Sequence, residues 1–209
     1  MPRFASYAGL ILAAGESSRM GRDKALLPWP PPRPGQAPSS DTFLSAAIRS
    51  LELSSDFVLV VAGKNEASLA PVVFAAGASI VVNPDPERGQ FSSLQTGLHE
   101  VLGRGRDAAI ITLVDRPPAS PATVQFLRET LSAAPADVWA VVPEFSGKHG
   151  HPYVAGRELI EAFLQAPSTA SAREIEHRHQ EHIRYIAVDD RFVALNINTP
   201  EDYKTLTEF

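Results

Sequence analysis

Short, mostly apolar runs recur along the chain, separated by stretches in which apolar residues follow helical spacing. The runs lie at residues 9–12, 57–62, 79–82, 108–114, 138–142 and 185–188. Apolar runs without polar alternation are typical of strands that are buried on both faces of a sheet. Because helical stretches lie between these runs, the pattern predicts a mostly parallel sheet that helices cover on both faces.

The helices are predicted from apolar spacing and from capping residues. Asp41 is a candidate N-cap for a helix over residues 41–53, and a weaker helix is predicted to end at Val73. Residues 158–165 have helical spacing, and Thr199 is a candidate N-cap close to the end of the sequence. The predicted buried face of the first helix consists of Phe43, Ala47, Ile48 and Leu51.

Composition limits the class of protein. The 209 residues suffice for one sizeable domain, and 44% of them are apolar. The absence of cysteine excludes disulfides and thiolate metal sites. No apolar run reaches the roughly 18 residues that a membrane span needs, and the first residues lack a signal-peptide core, so we expect a cytoplasmic protein. The net charge of −5 argues against general nucleic-acid binding, so an anionic ligand must meet a local group of basic residues.

The first apolar run leads into a loop with the chemistry of a phosphate-binding site. The sequence there contains Leu12, Ala13, Ala14 and Gly15, then Arg19 and Lys24. Small residues leave backbone N–H groups accessible to a ligand, a guanidinium holds two phosphate oxygens, and an ammonium places a point charge on a third. The spacing fits neither a Walker loop, which needs four residues between its glycines, nor the G-x-G-x-x-G dinucleotide fingerprint.

From Leu12 to Pro28 the chain resembles the signature L-A-A-G-x-S-x-R-M-G-x-x-K-x-L-L-P of the MobA/MocA-like nucleotidyltransferases, and every fixed position is present. That family includes molybdenum cofactor cytidylyltransferases and guanylyltransferases. The resemblance implies an α/β class with a three-layer α/β/α, Rossmann-like nucleotide-diphospho-sugar transferase fold, a mostly parallel mixed sheet, and a single domain over residues 1–209. It also implies transfer of an NMP from an NTP to a phosphorylated acceptor, with release of pyrophosphate. Loop residues 12–15 would contact the nucleotide, while Arg19 and Lys24 would be catalytic and neutralise the triphosphate.

Two later segments match the family in the same order. Residues 89–98 match its G-x-x-x-S-L-x-x-G-L segment, which implies that Gly89 and Ser93 line the nucleotide site. From the residues alone, Ser92 and Ser93 are equally well explained as helix caps. The family's D-x-P motif at the end of a strand is present as Asp115, Arg116 and Pro117, which implies that Asp115 is catalytic and binds Mg²⁺. Arg116 departs from the usual Gln or Met, and either contacts a phosphate or is solvated.

The family's G-H-P-x-x-x-x-R segment is present from Gly150 to Arg157, which makes His151 a candidate acceptor-binding residue. Asn196 and Asn198 alternate with a single isoleucine, so their side chains are predicted to share one face of an extended segment. By resemblance, one of the two supplies a second Mg²⁺ ligand. An amide oxygen brings no charge, which leaves open a weaker metal site or a different acceptor. Transition-metal binding by the remaining histidines is not expected.

The sequence leaves the substrates open. Ala13-Ala14-Gly15 favours CTP with molybdopterin cofactor as acceptor, whereas the two asparagines favour GTP. A sugar or polyol phosphate is a second possible acceptor. Two hypotheses involve no catalysis: the chain is a nucleotide-binding regulatory domain without turnover, or it is an interaction module. A molybdoenzyme or its chaperone is the protein partner that the resemblance suggests. Five prolines between residues 29 and 40 predict an extended surface insertion, either passive or a lid or partner-binding segment.

Overall fold

The computed structural model describes residues 6–15, 17, 20–33, 35–167 and 169–208. The strands are Tyr7–Leu12 (β1), Phe57–Ala62 (β2), Ser79–Val82 (β3), Ala108–Leu113 (β4), Ala140–Phe145 (β5), Lys148–His149 (β6), Tyr153–Gly156 (β7) and Ile183–Ala187 (β8). The helices are Phe43–Glu52 (α1), Glu66–Ala75 (α2), Gln90–Gly103 (α3), Pro121–Ala133 (α4), Arg157–Gln165 (α5), Ala172–Arg178 (α6) and Pro200–Thr205 (α7). Over these ranges, no helix is both long and apolar enough to cross a membrane.

The described strands form one mixed sheet in the order β3-β2-β1-β4-β7-β5-β6, with β8 paired to β5. The β1, β2, β3 and β4 strands are parallel to their neighbours within this group, and β8 is parallel to β5. Strand β7 runs antiparallel between β4 and β5. The predicted mostly parallel mixed sheet is therefore confirmed.

Helices cover both faces of the sheet because the strand residues alternate between two cores. Tyr7 and Ile11 of β1 face a core that contains residues of α1, α2 and α4, whereas Leu10 and Leu12 face a core with residues of α3, α5 and α6. Such burial on both faces explains why β1 has no polar alternation. The three-layer α/β/α fold is confirmed.

A third, smaller cluster joins the proline-rich segment to the end of the chain. Trp29 packs edge-on against Phe43 at 5.0 Å and Phe192 at 5.6 Å between ring centroids. The Tyr203 hydroxyl donates to the Pro28 carbonyl at 2.7 Å. In its described part, the segment after Pro28 contains neither helix nor strand, as its prolines predict. Its start is thus attached to α7 and to the segment before α7.

Two capping predictions are wrong. Helix α1 begins after Thr42, whose side chain accepts from Ser45 N–H in a capping box, while Asp41 forms an ion pair with Arg49. Threonine at this position satisfies a free N–H group of the first turn, which leaves Asp41 to the surface. Helix α3 begins after Gly89 without a side-chain cap, and Ser92 is already inside the helix. Thr199 caps α7 as predicted.

Candidate active site

A small cleft of about 290 Å³ opens where β1 and β4 end. Parallel strands of an α/β sheet expose their carboxyl ends at one edge, which is the usual place for a ligand. Gly89 borders this cleft with a φ of 94°, a backbone conformation that glycine adopts without strain. The lining residues include Leu12, Ala14, Gly15, Ser17, Lys24, Gly89, Gln90, Ser93 and Asp115. The cleft therefore brings together residues from three separated segments of the sequence.

The loop after β1 is held by a neighbouring asparagine. Asn65 Nδ2 donates to the Ala13 carbonyl at 2.9 Å and to Asp23 Oδ2 at 2.6 Å. The Ala13 N–H donates to the Val61 carbonyl at 2.8 Å. Both backbone groups of Ala13 are thus engaged, and its side chain lies in the core. These bonds fix the turn that carries Lys24, because Asp23 caps the short helix Lys24–Leu26.

Lys24 lines the small cleft. Its side chain is only 10% exposed, and its Nζ donates to Asn198 Oδ1 at 3.3 Å. The same Nζ lies 3.8 Å from Asp115 Oδ2. Its backbone N–H donates to Ser17 Oγ at 3.1 Å. A largely buried ammonium with two oxygens nearby places a positive charge in the cleft.

Backbone contacts bring the asparagine segment to the end of β4. The Ile197 N–H donates to the Asp115 carbonyl at 2.8 Å, and the Ile197 side chain is buried. Asp202 accepts from the N–H groups of Asn198 and Thr199 at 2.8 and 2.9 Å. These two hydrogen bonds hold the pKa of Asp202 below its usual range. The first turn of α7 therefore positions Asn198, while the Asn196 side chain is exposed.

The oxygen atoms of Asp115 and Asn198 are suitable ligands for a Mg²⁺ ion. Asp115 Oδ1 is buried and has no hydrogen-bond partner among the described residues, so it is a carboxylate oxygen that needs a cation or donor. The amide oxygen of Asn198 is a second hard oxygen close by. Mg²⁺ in nucleotide sites is typically held by one or two carboxylates together with substrate phosphates and water. One carboxylate and one amide are therefore an adequate protein donor set.

A second, larger cleft of about 1300 Å³ adjoins the small one. The two clefts share the lining residues Leu12, Gly89, Gln90 and Leu113. The larger cleft extends from the ends of the central strands to α6 and β8, and its wall includes Arg116, His149, His151, Tyr153, Glu176 and Tyr185. Two ligands lying in these clefts would therefore meet beside the end of β4.

The inner wall of the larger cleft carries His151, whose Nδ1 is buried without a hydrogen-bond partner in the described part of the chain. Burial, together with the nearby positive charge of Arg116, lowers the pKa of His151 to about 3. The imidazole is therefore neutral at physiological pH. Glu176 also borders this cleft, and burial raises the pKa of its carboxyl group.

The structure assembles most of the predicted site residues, with clear exceptions. Ser93 lines the small cleft and its Oγ accepts from Asn83 Nδ2 at 2.9 Å. Arg19 lies outside the described residues. Ala13 lines neither cleft, because it is part of the core. Sequence reasoning missed Asn65, since an asparagine after a strand gives no signal of a contact with a loop some 50 residues earlier.

Two histidines of the histidine-rich stretch pack against Trp139, while His177 borders the larger cleft. The His182 ring stacks on Trp139 at 4.0 Å between centroids, and the His179 ring lies 5.0 Å from the same indole. In the larger cleft, His149 stacks on Tyr185 at 3.8 Å. Among the described residues, no three His, Asp or Glu side chains form a group that would hold a metal ion.

The ends of the strands in this mixed sheet carry a small-residue loop, a buried lysine and a carboxylate oxygen without a hydrogen-bond partner among the described residues. This is the arrangement of a nucleotidyltransferase. The model of the MobA-like NTP transferase domain matches residues 9–183. The chain therefore belongs to this family and is a nucleotidyltransferase.

Named relatives and solved structures agree with this membership. The chain is 24% identical to the molybdenum cofactor cytidylyltransferase of Escherichia coli K12, over 95% of this chain and 94% of the relative. It is 28% identical to a probable molybdenum cofactor guanylyltransferase of Mycobacterium avium, over 96% and 95% of the two chains. The crystal structure of Rv0371c from Mycobacterium tuberculosis H37Rv has a TM-score of 0.80 at 26% identity and covers 98% of both chains. Another structure of Rv0371c, with a TM-score of 0.73 at 22% identity over 98% and 99% of the two chains, is a complex with manganese.

Proposed function

We propose that this nucleotidyltransferase transfers CMP from CTP to the phosphate of the molybdenum cofactor, with Mg²⁺ as its metal ion. The observation that supports the proposal is the meeting of Lys24, Asp115 and Asn198 where the two clefts adjoin. The small cleft suits the triphosphate, and the larger cleft has room for a sizeable acceptor. The name of the Escherichia coli relative supports this choice of substrates.

The residues suggest how transfer would proceed. An oxygen of the acceptor phosphate forms a bond to the α-phosphorus, the bond from this phosphorus to the α,β-bridging oxygen breaks, and the electron pair leaves with pyrophosphate. Lys24 stabilises the charge that collects on the leaving group. Asp115 and Asn198 would hold the metal ion, which supplies charge neutralisation and orients the two phosphates. No general base is required, because a phosphate nucleophile is already anionic.

The first experiment is a thermal-shift panel of CTP, GTP, UTP, ATP and dTTP, each with and without Mg²⁺. A ligand that binds only the folded state raises the melting temperature by mass action. A Mg²⁺-dependent shift with CTP alone supports the proposal, and pyrophosphate release is then measured with purified molybdenum cofactor. Release of pyrophosphate without a nucleotide-bearing product, or no release, would contradict the proposed acceptor.

GTP is the second candidate nucleotide. It is favoured by the family resemblance, in which amides at Asn196 and Asn198 point to guanylyltransferase-like members, and by the name of the Mycobacterium avium relative. A larger shift with GTP than with CTP in the same panel would select it. The manganese complex of Rv0371c supports a divalent cation at the site. Replacing Mg²⁺ with Mn²⁺ in the panel tests which ion the protein prefers.

A further inference from the structure

Consecutive residues at the end of β4 line different clefts. Asp115 borders the small cleft, whereas Arg116 borders the larger one. The Arg116 guanidinium is half-buried and donates from Nη1 to the Leu195 carbonyl at 3.1 Å. Its Nε is buried and has no hydrogen-bond partner within the described chain. No described carboxylate lies within ion-pair distance of it.

A guanidinium nitrogen that is buried without an acceptor costs free energy, which an anionic ligand beside the guanidinium would offset. The second inner-wall candidate, His151, is neutral and brings no charge. Of the remaining arginines on this cleft, Arg88 is paired with Asp85, and Arg173 is exposed on α6. Arg116 is therefore the inner-wall cation best placed to meet an anionic ligand.

We propose that Arg116 binds the phosphate group of the acceptor and makes the enzyme selective for phosphomonoester acceptors. This inference rests on the proposed function, in which the acceptor phosphate must lie beside the nucleotide's α-phosphate. A guanidinium fork holds two oxygens of one phosphate and leaves the third free to attack. Attack forms the new phosphorus–oxygen bond and expels pyrophosphate with its electron pair. Arg116 would thus orient the nucleophile while Lys24 stabilises the leaving group.

A phosphate-binding measurement tests the assignment without requiring turnover. Inorganic phosphate is titrated into the wild-type protein, and its ³¹P line width is followed by NMR. Arg116→Gln, which introduces the residue usual in the family, is compared with Lys24→Ala and Arg128→Gln. Arg128 is a matched control, because it is also half-buried with an unpartnered Nε among the described residues, but it lines neither cleft.

The proposal expects phosphate-dependent broadening in the wild type that Arg116→Gln reduces strongly and that Arg128→Gln retains. Broadening that disappears only in Lys24→Ala would place the phosphate in the small cleft and overturn the assignment. Absence of broadening in the wild type would overturn it as well. Thermal melting of each variant verifies folding, and Arg116→Lys, which keeps the charge without the fork, provides an intermediate case if Arg116→Gln unfolds.

Steady-state kinetics supply the second readout. With molybdenum cofactor as acceptor, Arg116→Gln is expected to raise the KM for the acceptor by about tenfold or more, while the KM for the NTP changes by less than about threefold, since a charged hydrogen bond is lost on one substrate only. An equal rise in both KM values would contradict the assignment. If the wild type transfers nothing to this cofactor but phosphate binding still depends on Arg116, the proposed substrate is wrong and the phosphate site stands.

Discussion

Single residues at the site carry charges that the fold only partly compensates. Lys24 has a neutral amide at 3.3 Å and a carboxylate at 3.8 Å, a distance at which an ion pair is loose. Asp115 correspondingly retains a buried oxygen without a donor among the described residues. In a structural ion pair, we would expect short, doubly hydrogen-bonded contacts. The loose arrangement is typical of groups whose remaining partners arrive with the substrate.

Asp115→Asn tests the carboxylate while preserving its shape. We expect nucleotide transfer to fall by about 100-fold or more, because a neutral amide would hold the metal ion weakly and the charge of the transition state would remain uncompensated. Nucleotide binding in the absence of metal should change by less than about threefold. The measurements are pyrophosphate release and isothermal titration without metal. Transfer near the wild-type rate would exclude Asp115 as a metal ligand.

Substitution of each asparagine tests separately whether it binds the metal ion. Asn198→Asp places a second carboxylate beside Lys24 and Asp115 and should tighten Mn²⁺ binding by about tenfold, because charge adds to the attraction of an oxygen ligand. Asn196→Asp is the control at an exposed position and should tighten binding by less than about twofold. Electron paramagnetic resonance of free Mn²⁺ measures both. The reverse order would identify Asn196 as the ligand.

At the scale of elements, helix α3 depends on close approach to the sheet. A Cβ on Gly97 would lie 2.6 Å from Leu10 Cδ1 and 2.8 Å from Val61 Cγ2, which is too close for packed side chains. The helix therefore rests on β1 and β2 through a residue without a side chain. Because α3 begins beside Gly89 at the cleft, its packing also determines the shape of the site.

Gly97→Ala is expected to destabilise the protein by about 1–3 kcal/mol, since an added methyl in a packed core forces neighbours to shift. Gly103→Ala is the control in the same helix, because nothing lies within 4 Å of its Cβ position. That variant should be neutral or more stable by up to about 1 kcal/mol. Urea unfolding measures both. Equal effects of the two substitutions would show that α3 tolerates displacement from the sheet.

At the scale of the whole molecule, burial of His151 links folding to pH. The folded-state pKa of about 3 lies below the unfolded value of 6.5, so the unfolded chain binds a proton that the folded chain rejects. This stabilising contribution is fully present above pH 6.5 and is lost as the pH falls from 6.5 toward 3. Carboxylate protonation begins near the lower end of this range.

We therefore expect the free energy of unfolding of the wild type to fall by about 1 kcal/mol between pH 7.0 and 5.5. The free energy of unfolding of His151→Gln should fall less over the same interval. The unfolding measurements use urea at three pH values in constant ionic strength. His99→Gln, which removes an exposed histidine on α3, is the control. A pH dependence that His151→Gln leaves unchanged would show that another group is responsible.

The sequence by itself determined the β-strands with the strongest apolar runs and the chemistry of the loop after β1. The runs at 57–62 and 79–82 coincide with β2 and β3. In β2, burial on both faces of the sheet leaves a local apolar pattern, whereas β3 lies at the edge of the sheet and is only partly buried. Strand β7 was not predicted, since Tyr153–Gly156 is short and becomes a strand only by pairing with β4 and β5. Pairing partners are set by long-range contacts, which a local pattern does not contain.

Only the tertiary structure decided how the site residues meet. The sequence supplied Asp115 and both asparagines, but the contact between Ile197 N–H and the Asp115 carbonyl distinguishes Asn198, beside Lys24, from the exposed Asn196. Likewise, the sequence left Arg116 open between a phosphate contact and a solvated charge. Its half-buried position on the larger cleft follows from the end of β4 lying against the segment before α7. The chemistry of a residue is local, whereas its burial and neighbours result from folding the whole chain.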